Sequence, residues 1–201
     1  MSFRGVIKMP NLIELIYDKK FTEAQYIINT ISIAELNLPE DGVCPIHAVV
    51  DFSFHDELSS EEKTSLHRLA ICLIRRGAQL DVEREGLLPI HYVCAKQNGC
   101  LEVLNAILDA GFDPNTPDNI GETPLHHAIK AGVSHKDLIK RLLGCPGLVM
   151  SKTYDFLDDK HKSKTPADYA AMYYSDILTD LHNYISTPPV VRTRGNSLTL
   201  G

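Results

Sequence analysis

The sequence contains no tryptophan, and aromatic residues make up only 7% of its 201 residues. A hydrophobic fraction of 44% with so few large rings suits small side chains packed between helices, in one elongated domain with a continuous core. No uninterrupted apolar stretch approaches the roughly 18 residues of a membrane span, and the first eight residues lack the apolar core of a secretory signal. These absences predict a cytosolic protein with no membrane partner.

The chain also lacks the usual marks of nucleic-acid binding and catalysis. Its net charge is −6, whereas a nucleic-acid surface needs a basic patch. It has neither a Gly-x-Gly-x-x-Gly nor a Gly-x-x-x-x-Gly-Lys phosphate motif, and no serine or cysteine lies in a known nucleophile signature. The sequence therefore predicts a protein that is not an enzyme, with no cofactor, no small-molecule substrate and no nucleic-acid partner.

Five cysteines are an odd number, and most of them fall within helical apolar patterns. This placement favours packed, reduced thiols over a disulfide framework, and it agrees with a reducing compartment.

What the sequence does have is a pattern that returns at long intervals. Its copies are Cys44-Pro-Ile-His-Ala-Val, Leu88-Pro-Ile-His-Tyr-Val, Thr123-Pro-Leu-His-His-Ala and the degenerate Thr165-Pro-Ala-Asp-Tyr-Ala. A glycine stands three residues before the proline in each full copy, and a helical apolar run follows. A proline in the first turn of a helix loses no hydrogen bond, and a threonine before it can cap the helix. The pattern predicts helix pairs that bury their apolar stripes by stacking.

These copies resemble the ankyrin repeat, whose signature is Thr-Pro-Leu-His-x-Ala followed by a second helix and a glycine turn. The resemblance implies an all-α solenoid of helix-turn-helix units with projecting turns. Successive prolines are 35, 44, 35 and 42 residues apart, against a family period of about 33, so two repeats carry insertions. We expect a repeat domain over residues 1–187 and a flexible tail over 188–201. The expected repeats are 10–41, 42–85, 86–120, 121–162 and 163–187.

Three histidines occupy the same slot, two residues after a proline: His47, His91 and His126. The resemblance implies that each makes a structural hydrogen bond between neighbouring turns. His91 with Cys94, or His126 with His127, could form half of a zinc motif, but no second pair with zinc-finger spacing accompanies them. We therefore expect no metal site.

The resemblance implies a non-enzymatic protein-binding module that uses a concave face. The residue three after each proline is the one that the family exposes there, which points to Tyr92, His127 and Tyr169 as partner-binding residues. The alternative is that these rings cover their own helices. The projecting turns add three groups of residues: Glu83, Arg84 and Glu85; Asp118, Asn119 and Ile120; and Asp158, Asp159 and Lys160. The net negative charge of these turns favours a partner with a basic segment.

Two alternatives remain open. Irregular, stand-alone ankyrin proteins resemble effectors that intracellular bacteria deliver into the host cytosol by type IV secretion, and Leu198 and Leu200 in the tail are similar to such export signals. The other alternative is an enzyme of unrecognised type whose site lies in the insertion at residues 51–58. That insertion contains Phe52 and Phe54, at least one of which we expect to pack on the stack.

Overall fold

The structure is a computed structural model that describes residues 11–96, 99–149, 165–173 and 179, without the side chains of Val133, Tyr169, Met172 and Tyr173. The helices are α1 Leu12–Tyr17, α2 Phe21–Thr30, α3 Ile33–Leu36, α4 Pro45–Phe52, α5 Ser60–Arg75, α6 Pro89–Ala95, α7 Leu101–Asp109, α8 Pro124–Ala131, α9 Lys136–Leu143 and α10 Pro166–Tyr173. A 3₁₀ turn, Val133–His135, precedes α9. No β-strand occurs within the described ranges, and the predicted all-α class is confirmed.

The helices stack in two layers. The first helices of the units, α1, α4, α6, α8 and α10, contact one another in that order, and the second helices, α2, α5, α7 and α9, do the same. Each pair alone has one apolar stripe, so the core exists only between neighbouring pairs. The core runs from Leu12 to Ala170 and is continuous through both layers.

Local chemistry fixes where the helices begin. Pro45, Pro89 and Pro124 each start a first helix, as the sequence predicts. Ser59 and Glu62 form a capping box at the start of α5, with Ser59 N donating to Glu62 Oε2 at 2.8 Å. The predicted cap at Thr165 is also present, because its hydroxyl accepts from Asp168 N at 3.2 Å.

The insertion at residues 51–58 begins in the last turn of α4 and leads into α5. The Phe52 ring lies edge-on to Tyr17, with ring centroids 5.3 Å apart, and Phe54 packs partly buried against the core. Leu58 is buried at the end of the segment. The expectation that at least one phenylalanine packs on the stack is confirmed.

We predict that Phe54→Ala lowers the free energy of unfolding by about 2–3 kcal/mol, somewhat below the loss for a fully buried ring, since Phe54 is only half-buried. Urea unfolding followed by circular dichroism measures this loss. His55→Ala is the matched control, because His55 is exposed in the same segment and its substitution should change stability by less than about 1 kcal/mol. Equal stability of Phe54→Ala and the wild type would show that the insertion does not pack.

The expected tail at 188–201 and the polar turn at Asp158, Asp159 and Lys160 lie outside the described residues. The repeat and domain boundaries therefore stay predictions. Among the described residues, none of the helices combines the length and apolar character that crossing a bilayer requires.

Candidate binding surface

Three turns, which we call the turn row, precede the first helices: residues 40–43, 84–87 and 118–122. In each of the first two turns the outer residues exchange two backbone hydrogen bonds of 2.9–3.0 Å, and the two central residues have positive φ. This two-residue turn needs a residue that tolerates the left-handed region, and Gly86 provides one with φ of 80°. Gly86 has a second constraint, because a Cβ there would collide with the Asn119 side chain.

The third turn is built differently because Ile120 occupies the position before its glycine. A β-branched residue strongly disfavours the left-handed conformation that Asp41 and Glu85 adopt at the equivalent position. The turn is therefore wider, and Asp118 N donates to Glu122 O at 2.9 Å. The Asp118 carboxylate closes it, since Oδ1 accepts from Ile120 N at 2.9 Å and from Glu122 N at 2.8 Å.

The turns are joined to one another. Asn119 N donates to Gly86 O at 3.0 Å, so the second and third turns share a backbone hydrogen bond. The tip of the third turn exposes Asn119 and Ile120, and Ile120 keeps 50% of its surface exposed. Glu83, just before the second turn, and Glu85 within it are exposed. The second and third turns therefore present an apolar side chain, Ile120, together with these two carboxylates.

The recurring histidines largely play the expected structural role. His91 Nδ1 accepts from Leu88 N at 3.1 Å, and its Nε2 lies 3.0 Å from Thr116 O, which ties α6 to the segment before the next turn. His126 repeats the first contact, with Thr123 N at 3.1 Å. The His126 imidazole therefore satisfies the Thr123 backbone N–H at the start of α8, and its Nδ1 also lies 2.8 Å from the Thr123 hydroxyl. His47 departs from the pattern, because its buried Nε2 faces the Leu87 backbone without a well-formed hydrogen bond.

The rings of neighbouring units pack with a constant offset. His47 lies edge-on to Tyr92, with ring centroids 5.8 Å apart, and His91 lies against His127 at 5.3 Å. The ring three residues after a proline therefore covers the histidine of the preceding unit. How neighbouring units stack decides which ring lies against which histidine, and the spacing of the repeats in the sequence does not show it.

Tyr92 does not project as an exposed anchor. Only 4% of its surface is exposed, and its hydroxyl donates to Arg84 O at 3.1 Å. The expectation of an exposed ring at Tyr92 is wrong, because the ring packs against His47 of the preceding unit. Neither interpretation of Tyr169 is tested, since its side chain lies outside the described residues.

His127 is held between two carboxylates. Its Nε2 lies 2.7 Å from Asp118 Oδ2 and 3.8 Å from Glu122 Oε2, and Lys130 Nζ contacts both oxygens of Glu122 at 2.8 Å. Burial opposes ionisation of Asp118, but hydrogen bonds from His127 and from the backbone of Glu122 and Ile120 outweigh it and lower its pKa. The sequence singled out Asp118 and His127 but not Glu122 or Lys130, because their proximity depends on the wide turn.

A second charged group lies one unit earlier. Arg84 Nη1 is 3.2 Å from Asp51 Oδ2, and Lys96 Nζ is 3.9 Å from Asp51 Oδ1. The predicted residues Arg84 and Asp118 are thus paired within the chain. Of the predicted set, Glu83 and Asn119 are exposed, so the acidic face is smaller than the sum of charges suggests.

The thiols are packed, as expected, since all five cysteines are free and four of them are buried. Burial raises the pKa of Cys94, and it raises that of Cys100 to about 11, which keeps both thiols protonated. His91, the partner of Cys94 in the half zinc motif, has both ring nitrogens in contact with backbone groups.

A small cavity that the sequence did not indicate lies between α5 and α7. It has no room for a water molecule and is lined by residues including Phe54, His67 and Cys100. His67 Nε2 is buried there without a hydrogen-bond partner among the described residues. Burial lowers the pKa of His67, so this side chain is held neutral.

Residues 90–143 match a family model described as ankyrin repeats (many copies). This range begins in α6 and ends with α9, so it covers two helix pairs and the third turn. Ankyrin repeats indicate a protein–protein interaction module, and the family is typically non-enzymatic. The repeated motif, the stacked helix pairs and this match over about a quarter of the chain support an ankyrin-repeat protein.

Proposed function

We propose that the protein binds a partner protein through the turn row, with Ile120 as the apolar contact and Glu83 and Glu85 as the charged contacts. The observation that carries this proposal is the exposed tip of the third turn, which is attached to the second turn by the Asn119–Gly86 hydrogen bond. A surface held by backbone hydrogen bonds loses little conformational entropy on binding, which favours affinity.

The partner that fits this surface has a basic segment beside an apolar side chain. Glu83 and Glu85 are exposed, whereas Asp51, Asp118 and Glu122 already have internal cationic or histidine contacts. A basic segment would therefore be steered by the two glutamates and would find its apolar contact at Ile120. Arg84, Asn119 and His127 lie in or beside the turns and complete the proposed surface. The buried Tyr92 ring holds this surface in place through the hydrogen bond that its hydroxyl donates to Arg84 O.

We predict that Ile120→Ser weakens binding of an isolated partner by about 1–2 kcal/mol, because exposed apolar anchors carry much of the binding energy of such interfaces. Partners are captured first from bacterial and eukaryotic lysates, and the affinity of purified variants is then titrated. Tyr26→Ser is the matched control, since Tyr26 on α2 is 66% exposed and lies outside the turn row.

Charge reversal at Glu83 and Glu85 is expected to act mainly on the association rate and on its salt dependence. Stopped-flow measurements at two ionic strengths separate this effect from loss of contact. If Ile120→Ser and the double reversal both bind like the wild type, the turn row is not the binding surface.

The delivered-effector alternative depends on residues 188–201, which lie outside the described residues. Truncation after Thr187 in a translocation reporter assay tests it, and normal delivery without the tail would remove its support. The enzyme alternative places a site at residues 51–58, where the described segment packs Phe52 and Phe54 on the core. An interaction module in the cytoplasm is the function that we propose.

A further inference from the structure

The base of the third turn brings together one imidazole and two carboxylates from two structural elements. Asp118 and Glu122 belong to the turn, and His127 lies on α8. One donor atom of each residue lies within 4.8 Å of the other two, and within the described ranges no other group of three such residues meets this condition. The Asp118 side chain is fully buried, and those of Glu122 and His127 are 11% and 12% exposed.

The spacing of the donors is close to what a metal ion requires. Two ligands on a tetrahedral Zn²⁺ at 2.0–2.1 Å are about 3.3 Å apart. The distances from His127 Nε2 to Asp118 Oδ2 and Glu122 Oε2 are 2.7 and 3.8 Å, so they bracket that value. Movements of roughly half an ångström would equalise them, which side-chain torsions can provide without a change in the backbone.

The supporting contacts orient the first of these ligands. Asp118 Oδ1 accepts two backbone hydrogen bonds, from Ile120 N and Glu122 N, which leaves Oδ2 directed at His127. Such outer contacts fix the geometry of metal ligands and strengthen their affinity. His91, which packs against His127, has both nitrogens in contact with backbone groups and is not a further ligand.

We propose that Asp118, Glu122 and His127 form a binding site for a divalent transition-metal ion of the Zn²⁺ class. One nitrogen and two carboxylate oxygens suit zinc, and the partly exposed side of the cluster leaves room for water as a fourth ligand. The proposal revises the expectation of no metal, which concerned His91 with Cys94 and also His126 with His127. It does not depend on a partner protein.

Lys130 competes with the metal in this arrangement. Its ammonium contacts both oxygens of Glu122 at 2.8 Å, but the side chain is 41% exposed and can move into solvent. Zinc binding therefore displaces Lys130 from Glu122 or retains it as a repelling charge nearby. Removing that charge is expected to strengthen zinc binding, a result that a purely structural hydrogen-bond cluster would not give.

The proposal is tested with Zn²⁺ alone. Full-length protein is treated with a chelator, and the chelator is removed. The protein is then titrated with Zn²⁺ at pH 7.5 against a competing fluorescent chelator. We expect one zinc ion per chain. Glu122→Gln and His127→Gln should each weaken binding by at least about tenfold, since each removes a ligand. Lys130→Gln should strengthen binding about fivefold or more, because one positive charge is lost beside the ion.

Asp51→Asn is the matched control. Asp51 is a half-buried carboxylate paired with Arg84 one unit earlier, it is not part of the three-residue donor cluster, and its substitution should leave the zinc affinity unchanged. Circular dichroism checks that each variant is folded, and Lys130→Gln provides a test even if a ligand variant unfolds. Wild-type affinity in Glu122→Gln and His127→Gln, unchanged affinity in Lys130→Gln, or absence of a 1:1 complex would overturn the proposal.

Discussion

Lowering the pH from 7 to 5 is expected to reduce the free energy of unfolding by about 2 kcal/mol through His91 alone. The side chain is fully buried, and burial with the nearby His127 lowers the pKa of His91 to about 4. Asp118, Glu122 and the Thr116 carbonyl act in the opposite direction but do not compensate for burial. The native state therefore excludes the proton that the unfolded chain accepts near pH 6.5.

Between pH 6.5 and about 4 the unfolded chain is protonated at His91 and the native chain is not. The free energy of unfolding therefore falls as the pH falls. The full loss, about 3 kcal/mol, is reached below pH 4, and none of it is present above pH 7. His47, His67 and His135 shift in the same direction because burial also lowers the pKa of each.

Urea unfolding from pH 8 to pH 5, with a chelator present, measures this dependence. We expect His91→Gln to be less stable than the wild type at pH 7. Because glutamine does not titrate, the free energy of unfolding of this variant should change by about 2 kcal/mol less between pH 7 and 5. Asp118 contributes below this window, because its lowered pKa lies under 3.8. A pH dependence identical to that of the wild type would mean that His91 is not held neutral by the fold.

Tyr92→Ala is expected to cost about 3–5 kcal/mol of stability, the loss typical of a buried aromatic ring. The ring is 4% exposed and lies edge-on to His47, and its hydroxyl donates to Arg84 O in the second turn. Tyr92→Phe keeps the ring and loses only the hydrogen bond, at a cost of about 1 kcal/mol. Thermal and urea unfolding of both variants distinguish the two contributions.

Tyr26→Ala is the control for Tyr92, because Tyr26 is 66% exposed and its loss should change stability by about 0.5 kcal/mol or less. A Tyr92→Ala protein as stable as Tyr26→Ala would contradict the buried position. Because Tyr92→Ala weakens the fold, any effect of this variant on partner binding has to be measured where the protein is fully folded.

Most of the helical framework could be predicted from local sequence. Pro45, Pro89 and Pro124 start helices, and Ser59 with Glu62 caps α5. Gly77 and Gly111 follow the second helices with φ of 92° and 88°. These features depend on backbone conformations and hydrogen bonds within a few residues, which a local motif specifies without knowledge of the neighbours.

The candidate site was less predictable because it depends on how units meet. The motif indicated Tyr92 and His127 as equivalent positions, yet Tyr92 is buried and His127 pairs with Asp118. The difference originates in the third turn, where Ile120 disfavours positive φ and the wider turn brings Asp118 and Glu122 to His127. The β-branched residue before Gly121 was the signal for this, but its consequence lies in contacts with α8.

The sequence by itself determined that this chain forms stacked helix pairs, because proline, glycine and the apolar stripes act through local backbone chemistry and through a period that repeats. The tertiary structure alone decided which rings are covered, which charges are paired and which side chains remain exposed at the turn tips. Those outcomes depend on the offset between one unit and the next. That offset results from the packing of side chains far apart in the chain, and no single repeat encodes it.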